Sequence, residues 1–126
     1  LELPKGKIIT GKQTDLLSPA SSVIINAIKE LSKIPDEINL LSPTILEPIL
    51  KLRKNNNTLS LQEVLIALAV CSVTNPSIAS ALEKLEVLKD CEAHATYIVT
   101  NGDLKALKSL KINLTCEPNF YSKEIM

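Results

Sequence analysis

Apolar positions along this chain follow two different periods, and their alternation predicts an α/β fold. In Leu3–Thr10, Pro4 to Gly6 is a turn signal and the residues after it form a short strand. Ser18-Pro19 opens a helix, with Ser as N-cap and Pro at the first helical position. Val23, Ile24, Ala27, Ile28 and Leu31 then recur at helical spacing until Pro35 stops the run. Ile38–Leu41 is a short apolar run that reads as a buried strand.

Ser42-Pro43 repeats the start signal for a helix to about Lys54, with a kink or break expected at Pro48. Asn55-Asn56-Asn57 is a loop. Ser60-Leu61-Gln62-Glu63 is a capping box, in which the hydroxyl and the carboxylate satisfy orphan amides reciprocally. The stretch from Leu61 to Thr74 is apolar almost all round, the mark of a helix buried on most sides. Asn75-Pro76 starts another helix, striped by Ile78, Ala81, Leu82, Leu85 and Leu88.

The last third alternates again. Ala93–Val99 is rich in strand formers, and Ile112–Cys116 is a second strand. Asn101-Gly102 between them suits a hairpin turn. Leu104, Leu107 and Leu110 recur every third residue with lysines between, which favours a helix capped by Asp103. A connection of about twelve residues is near the minimum for a parallel crossover. The expectation is a small three-layer α/β domain with a mixed or parallel sheet and an accompanying helical part, one domain over residues 1–126.

Composition narrows the function classes. Basic and acidic residues balance at 14 each, so no field gathers a phosphate backbone. The aromatics are Tyr97, Phe120 and Tyr121, too few to stack bases, and nucleic acid is set aside as a partner. The longest near-continuous apolar run, Val64–Val73, is far short of the ~20 residues of a membrane span. Three cysteines without framework spacing suit the reducing cytoplasm. The first residues, Leu-Glu-Leu-Pro, read as strand material from the middle of a longer protein, which makes the rest of that polypeptide the expected partner. Excision from such a chain predicts an exposed apolar patch or a homo-oligomer.

Chemistry-bearing residues are sparse. Gly6-Lys7-Ile8-Ile9-Thr10-Gly11-Lys12-Gln13 approaches a phosphate-binding loop, but Gln13 stands where Ser or Thr would hold magnesium. Ile8 and Ile9 also favour a strand. Thr10, Gly11 and Lys12 remain a weak anion-binding candidate. The single histidine, His94, lies in Cys91-Glu92-Ala93-His94, with Cys116 and Glu117 on the next strand. Zinc takes such ligands. Strand parity puts Glu92 and His94 on one face and excludes Cys91 from it. Glu92, His94, Cys116 and Glu117 are therefore catalytic candidates, while a hydrogen-bonded structural histidine is the plainer reading. No metal site is assigned and the cofactor is left unknown. Cys71 is a small core residue. A nucleophilic Cys91 or Cys116 would have His94 as its only histidine base.

Leu3–Lys12, Ser22–Lys29, Glu63–Leu68, Thr74-Asn75-Pro76, Cys91–His94 and Asn113–Pro118 together resemble one bacterial family. It is the "domain of unknown function" family numbered eighteen-forty-six, an uncharacterised protein family. The resemblance runs in order over nearly the whole chain. It implies the C-terminal portion of a protein several times longer, with a three-layer α/β subdomain beside a helical one, similar in outline to deaminases. It implies no established activity. Some members carry the label "ATP-dependent zinc protease", which does not transfer: the phosphate loop fails at Gln13, one histidine is present, and the His-x-Glu and Pro-Cys-x-x-Cys pieces of zinc deaminases are missing.

Two functions follow from these residues. The segment is either a structural or assembly domain, or it contributes Glu92, His94, Cys116 or Glu117 to a shared active site, metal- or nucleotide-dependent. The second requires His94 to line a solvent-reached cleft; the first permits it to be sealed.

Overall fold

A computed structural model describes residues 1–52 and 58–116. The expected loop at Asn55–Asn57 lies outside the described residues, as do Glu117, Phe120 and Tyr121, whereas the second helix ends at Lys51 with Leu52 as its C-cap, earlier than the expected end near Lys54. Five α-helices are described: α1 (Pro19–Leu31), α2 (Pro43–Lys51), α3 (Leu61–Ser72), α4 (Pro76–Glu83) and α5 (Asn101–Ser109). A 3₁₀ segment, Lys84–Leu88, continues α4. Strands β1 (Glu92–Ala95) and β2 (Asn113–Cys116) pair in parallel, with His94 opposite Thr115 and Ala95 opposite Cys116. The chain is a small α/β domain in which α5 forms the crossover between the strands.

The caps follow the local chemistry. Ser18 Oγ accepts from Ser21 N, Asn75 Oδ1 from Ser77 N, and both halves of the Ser60–Glu63 capping box are made. At Asn101-Gly102 the helix wins over the hairpin. Its N-cap is Thr100, not Asp103, because the Thr100 hydroxyl accepts from Asp103 N and Asp103 is already inside the first turn. Asp103 is needed elsewhere. Its carboxylate, 2% exposed, accepts the Leu61 N–H at 2.8 Å and so ties the start of α5 to the start of α3.

The core lies where α1, α3 and α4 meet. Ile24, Ile28, Leu59, Leu61, Val64, Leu68 and Leu88 are fully buried. Ser21 Oγ donates to Leu59 O, and Leu59 exchanges backbone bonds with Leu16 and Ser18, so the chain entering α3 is pinned to the entry of α1.

Several expectations are corrected. Ile38–Leu41 is not a strand: Ile38 is exposed and only Leu40 and Leu41 reach the core, by way of turns. α2 continues through Pro48 without a break in the helix. β1 is shorter than Ala93–Val99, since the chain bends at Thr96 and Tyr97. The strand after Pro4–Gly6 is reduced to single bridges, in which Glu2 pairs antiparallel with both Ile8 and Glu92. Most instructive is α3, which is not buried on most sides. Ile66, Val70 and Val73 face solvent at 57%, 67% and 82% exposure.

Candidate functional site

The sequence suggested two unrelated candidates, around Thr10–Lys12 and around His94, and the fold brings them together. Leu1 N and O bond Ile9 O and N, while Glu2 N donates to Glu92 O. The segment Leu1–Leu3 therefore lies between Ile8–Ile9 on one side and β1 on the other. Beyond it the two flanks diverge around a cleft. A hollow of ≈340 Å³ there is lined by Gly11, Lys12, His94, Ala95, Thr96 and Tyr97. An adjoining one of ≈430 Å³ is lined by Thr10, Gly11 and His94 over an apolar floor that includes Val23 and Ile24 of α1.

Pleating places the β1 side chains as parity requires. Glu92 and His94 are exposed, Ala95 is buried, and Cys91, just before the strand, is also buried. Across the ladder, Thr115 alternates with Cys116, so Cys116 is on the side opposite to Thr115 and His94. His94 Nδ1 lies 3.0 Å from Thr115 Oγ1, whose hydroxyl also donates to Ala93 O at 3.3 Å. His94 and Thr115 are thus joined across the ladder by a side-chain hydrogen bond whose donor depends on the imidazole tautomer.

The expected ligand set is thus divided. Glu92 and His94 share a face, Cys116 is turned from it, and Glu117 lies outside the described residues. Among the described residues no three His, Cys, Asp or Glu side chains come together as metal ligands. Burial pushes the Cys91 thiol up, with Asp90, Glu2 and Glu92 adding to the effect and the Leu1 ammonium opposing it, which disfavours a thiolate there. Cys91 Sγ donates to Val87 O. Gly11 has a packing reason to be glycine. A Cβ there would stand 2.3 Å from Val23 N, so the chain crosses α1 at backbone contact, and Asn26 Nδ2 holds Thr10 O at 2.9 Å.

Sequence reasoning missed a second, polar cleft of ≈770 Å³ where α1, α3 and α5 all begin, lined by Ser18, Ser60, Thr100, Asp15, Asp103 and Tyr97. Its signals were present as three capping patterns, but nothing local says that the three helix ends meet. Each cap hydroxyl already accepts from its own helix. The Tyr97 hydroxyl is raised chiefly by burial, with Asp103 and Cys116 adding to it and the Ala20 backbone opposing.

Fold and cleft together define a small α/β domain with a cleft along a strand edge, lined by few reactive groups. Residues 1–126 match the family model described as "Domain of unknown function DUF1846, C-terminal", and the chain belongs to that family. It is 45% identical over 130 residues to a UPF0371 protein of Clostridioides difficile (strain 630), covering 99% of this chain and 26% of the relative. A UPF0371 protein of Clostridium botulinum (strain Eklund 17B / Type B) is 48% identical, and one of Clostridium tetani (strain Massachusetts / E88) 42%, with the same coverage. The chain thus spans about a quarter of the length of the curated relatives it matches.

Proposed function

We propose that this segment is a structural and assembly domain of a longer bacterial cytoplasmic polypeptide, and that its main partner is the rest of that polypeptide. The outer face of α3 carries the reading. Ile66, Val70 and Val73 are spaced to form one stripe, with Ala69 also exposed beside them. A helix that is apolar on both faces is built to be covered on both.

Area argues for a tethered cover. Burying one such side chain is worth about 1.5–3 kcal/mol, or about 60–120 Å² at ~25 cal/mol per Å². Three side chains supply roughly 200–350 Å² on that scale, well under the ~800 Å² per partner of a stable complex between separate chains. A covalently linked partner docks at high effective concentration and needs less. The cytoplasmic assignment draws support from Cys71, Cys91 and Cys116, none of them in a disulfide. No described helix is long and apolar enough to cross a membrane.

The test is the reactivity of a cysteine placed at Val70, with the three native cysteines replaced. It should react at least about tenfold more slowly in the full-length polypeptide than in the 126-residue chain. Equal rates would remove the reading.

A second reading keeps Glu92, His94, Cys116 and Glu117 as contributors to a shared active site, and the exposure of His94 at an open cleft favours it. It is weakened by the turned-away Cys116. Replacing His94 by Gln in the full-length protein should then abolish a metal- or nucleotide-dependent activity while leaving folding intact.

A further inference from the structure

We infer that the cleft between Thr10–Lys12 and His94–Thr96 is a strand slot, filled in the longer polypeptide by the residues that lead into Leu1. The inference rests on the assembly reading above and specifies where the polypeptide enters the domain. The carrying observation is register. Leu1 is bonded to Ile9 and Glu2 to Glu92, both in antiparallel sense. Continued backwards, that ladder places the residue before Leu1 between Thr10 and His94. The second residue before it falls between Gly11 and Ala95, and the third between Lys12 and Thr96. The residues named by the register are those that line the hollows of ≈430 and ≈340 Å³.

Three further features fit a strand rather than a small ligand. Thr10–Lys12 runs on from Ile9 without a turn, and among the described residues no backbone hydrogen bond reaches Gly11. In an antiparallel ladder the Gly11 amide and carbonyl would face the incoming chain, since Ile9, two residues earlier, already faces Leu1. The side-chain pattern also specifies the occupant. Leu1, Ile9 and Ala93 share the core side, and so does Ala95. The second residue before Leu1 falls on that side, flanked by the two smallest residues available, Gly11 and Ala95, above an apolar floor. A large aliphatic side chain fits there, with polar neighbours before and after it. Adding this strand would join Ile8–Thr10, the entering chain, β1 and β2 into one mixed sheet, and would cover the exposed edge of β1.

The experiment uses the full-length polypeptide with its native cysteines replaced. A cysteine at the third position before Leu1 is paired either with Thr96→Cys or with Lys12→Cys. Directly opposed residues in an antiparallel ladder stand about 4.5–5.5 Å apart at Cα, within disulfide range. Both pairs should bridge under mild oxidation, whereas a Lys33→Cys partner should not. Failure of either slot pair overturns the inference. Amide exchange of the unmodified full-length protein gives a reading independent of the variants: Gly11 should exchange at least about tenfold more slowly than an open loop amide. An unprotected Gly11 also overturns it. If the slot pairs fail while the Val70 site is covered, only this inference falls; if Val70 is exposed as well, the assembly reading falls with it.

Discussion

Helix α1 has two sides, and they meet different fates. Away from the sheet it presents Ile28, fully buried in an aliphatic core with Leu61 and Leu68, while Ile24 is fully buried between that core and the cleft floor. Toward the sheet, Val23 helps to floor an open cleft. The first side is packed by other helices of this chain; on the second, no strand among the described residues lies between Thr10–Lys12 and His94–Thr96. Stability and incompleteness are thus separated within one small domain.

The largest effects should come from the closed side. Leu68→Ala should cost about 2–5 kcal/mol in urea unfolding through lost transfer energy and the cavity left behind. Half-buried Leu65→Ala should cost less, and equal costs would mean that the two faces of α3 are packed alike. Gly11→Ala comes next, at about 1–3 kcal/mol, because the added methyl meets the backbone of Val23. Gly102→Ala is the control: nothing lies within 4 Å of the added carbon, and in the first turn of α5 it should be neutral or stabilise by up to ~1 kcal/mol. Asp103→Ala should cost about 1–3 kcal/mol, since it orphans the buried Leu61 amide. The smallest effect is kinetic. The raised Cys91 thiol should alkylate at pH 8 more slowly than Cys116, and a faster Cys91 would return it to the list of nucleophiles.

What the sequence disclosed and what it withheld divide on locality. Four of the five helix starts were legible because Ser18-Pro19, Ser42-Pro43, Ser60–Glu63 and Asn75-Pro76 are local chemistry, settled within four residues. The fifth was placed one turn late at Asp103, because that carboxylate serves a helix 42 residues away. Ile38–Leu41 failed as a strand for a related reason: a short apolar run does not say whether it pairs or merely tucks two leucines inward. The parity of Glu92, His94 and Cys91 could be read from the strand, but that His94 and Lys12 share one hollow could not, since it depends on how Leu1–Leu3 separates their segments. The apolar outer face of α3 was visible as composition and was assigned to burial. Its exposure in this chain is the observation on which the proposed assembly role rests.

The most direct measurement is residue-resolved amide exchange on the 126-residue chain and on the full-length polypeptide under identical conditions. Amides of α1 and the inner face of α3 should be protected in both, while Gly11 and Thr96 should gain protection only in the full-length protein. Equal exchange at Gly11 and Thr96 in the two chains, with α1 and α3 unchanged, would contradict the view that this domain is completed by its own polypeptide.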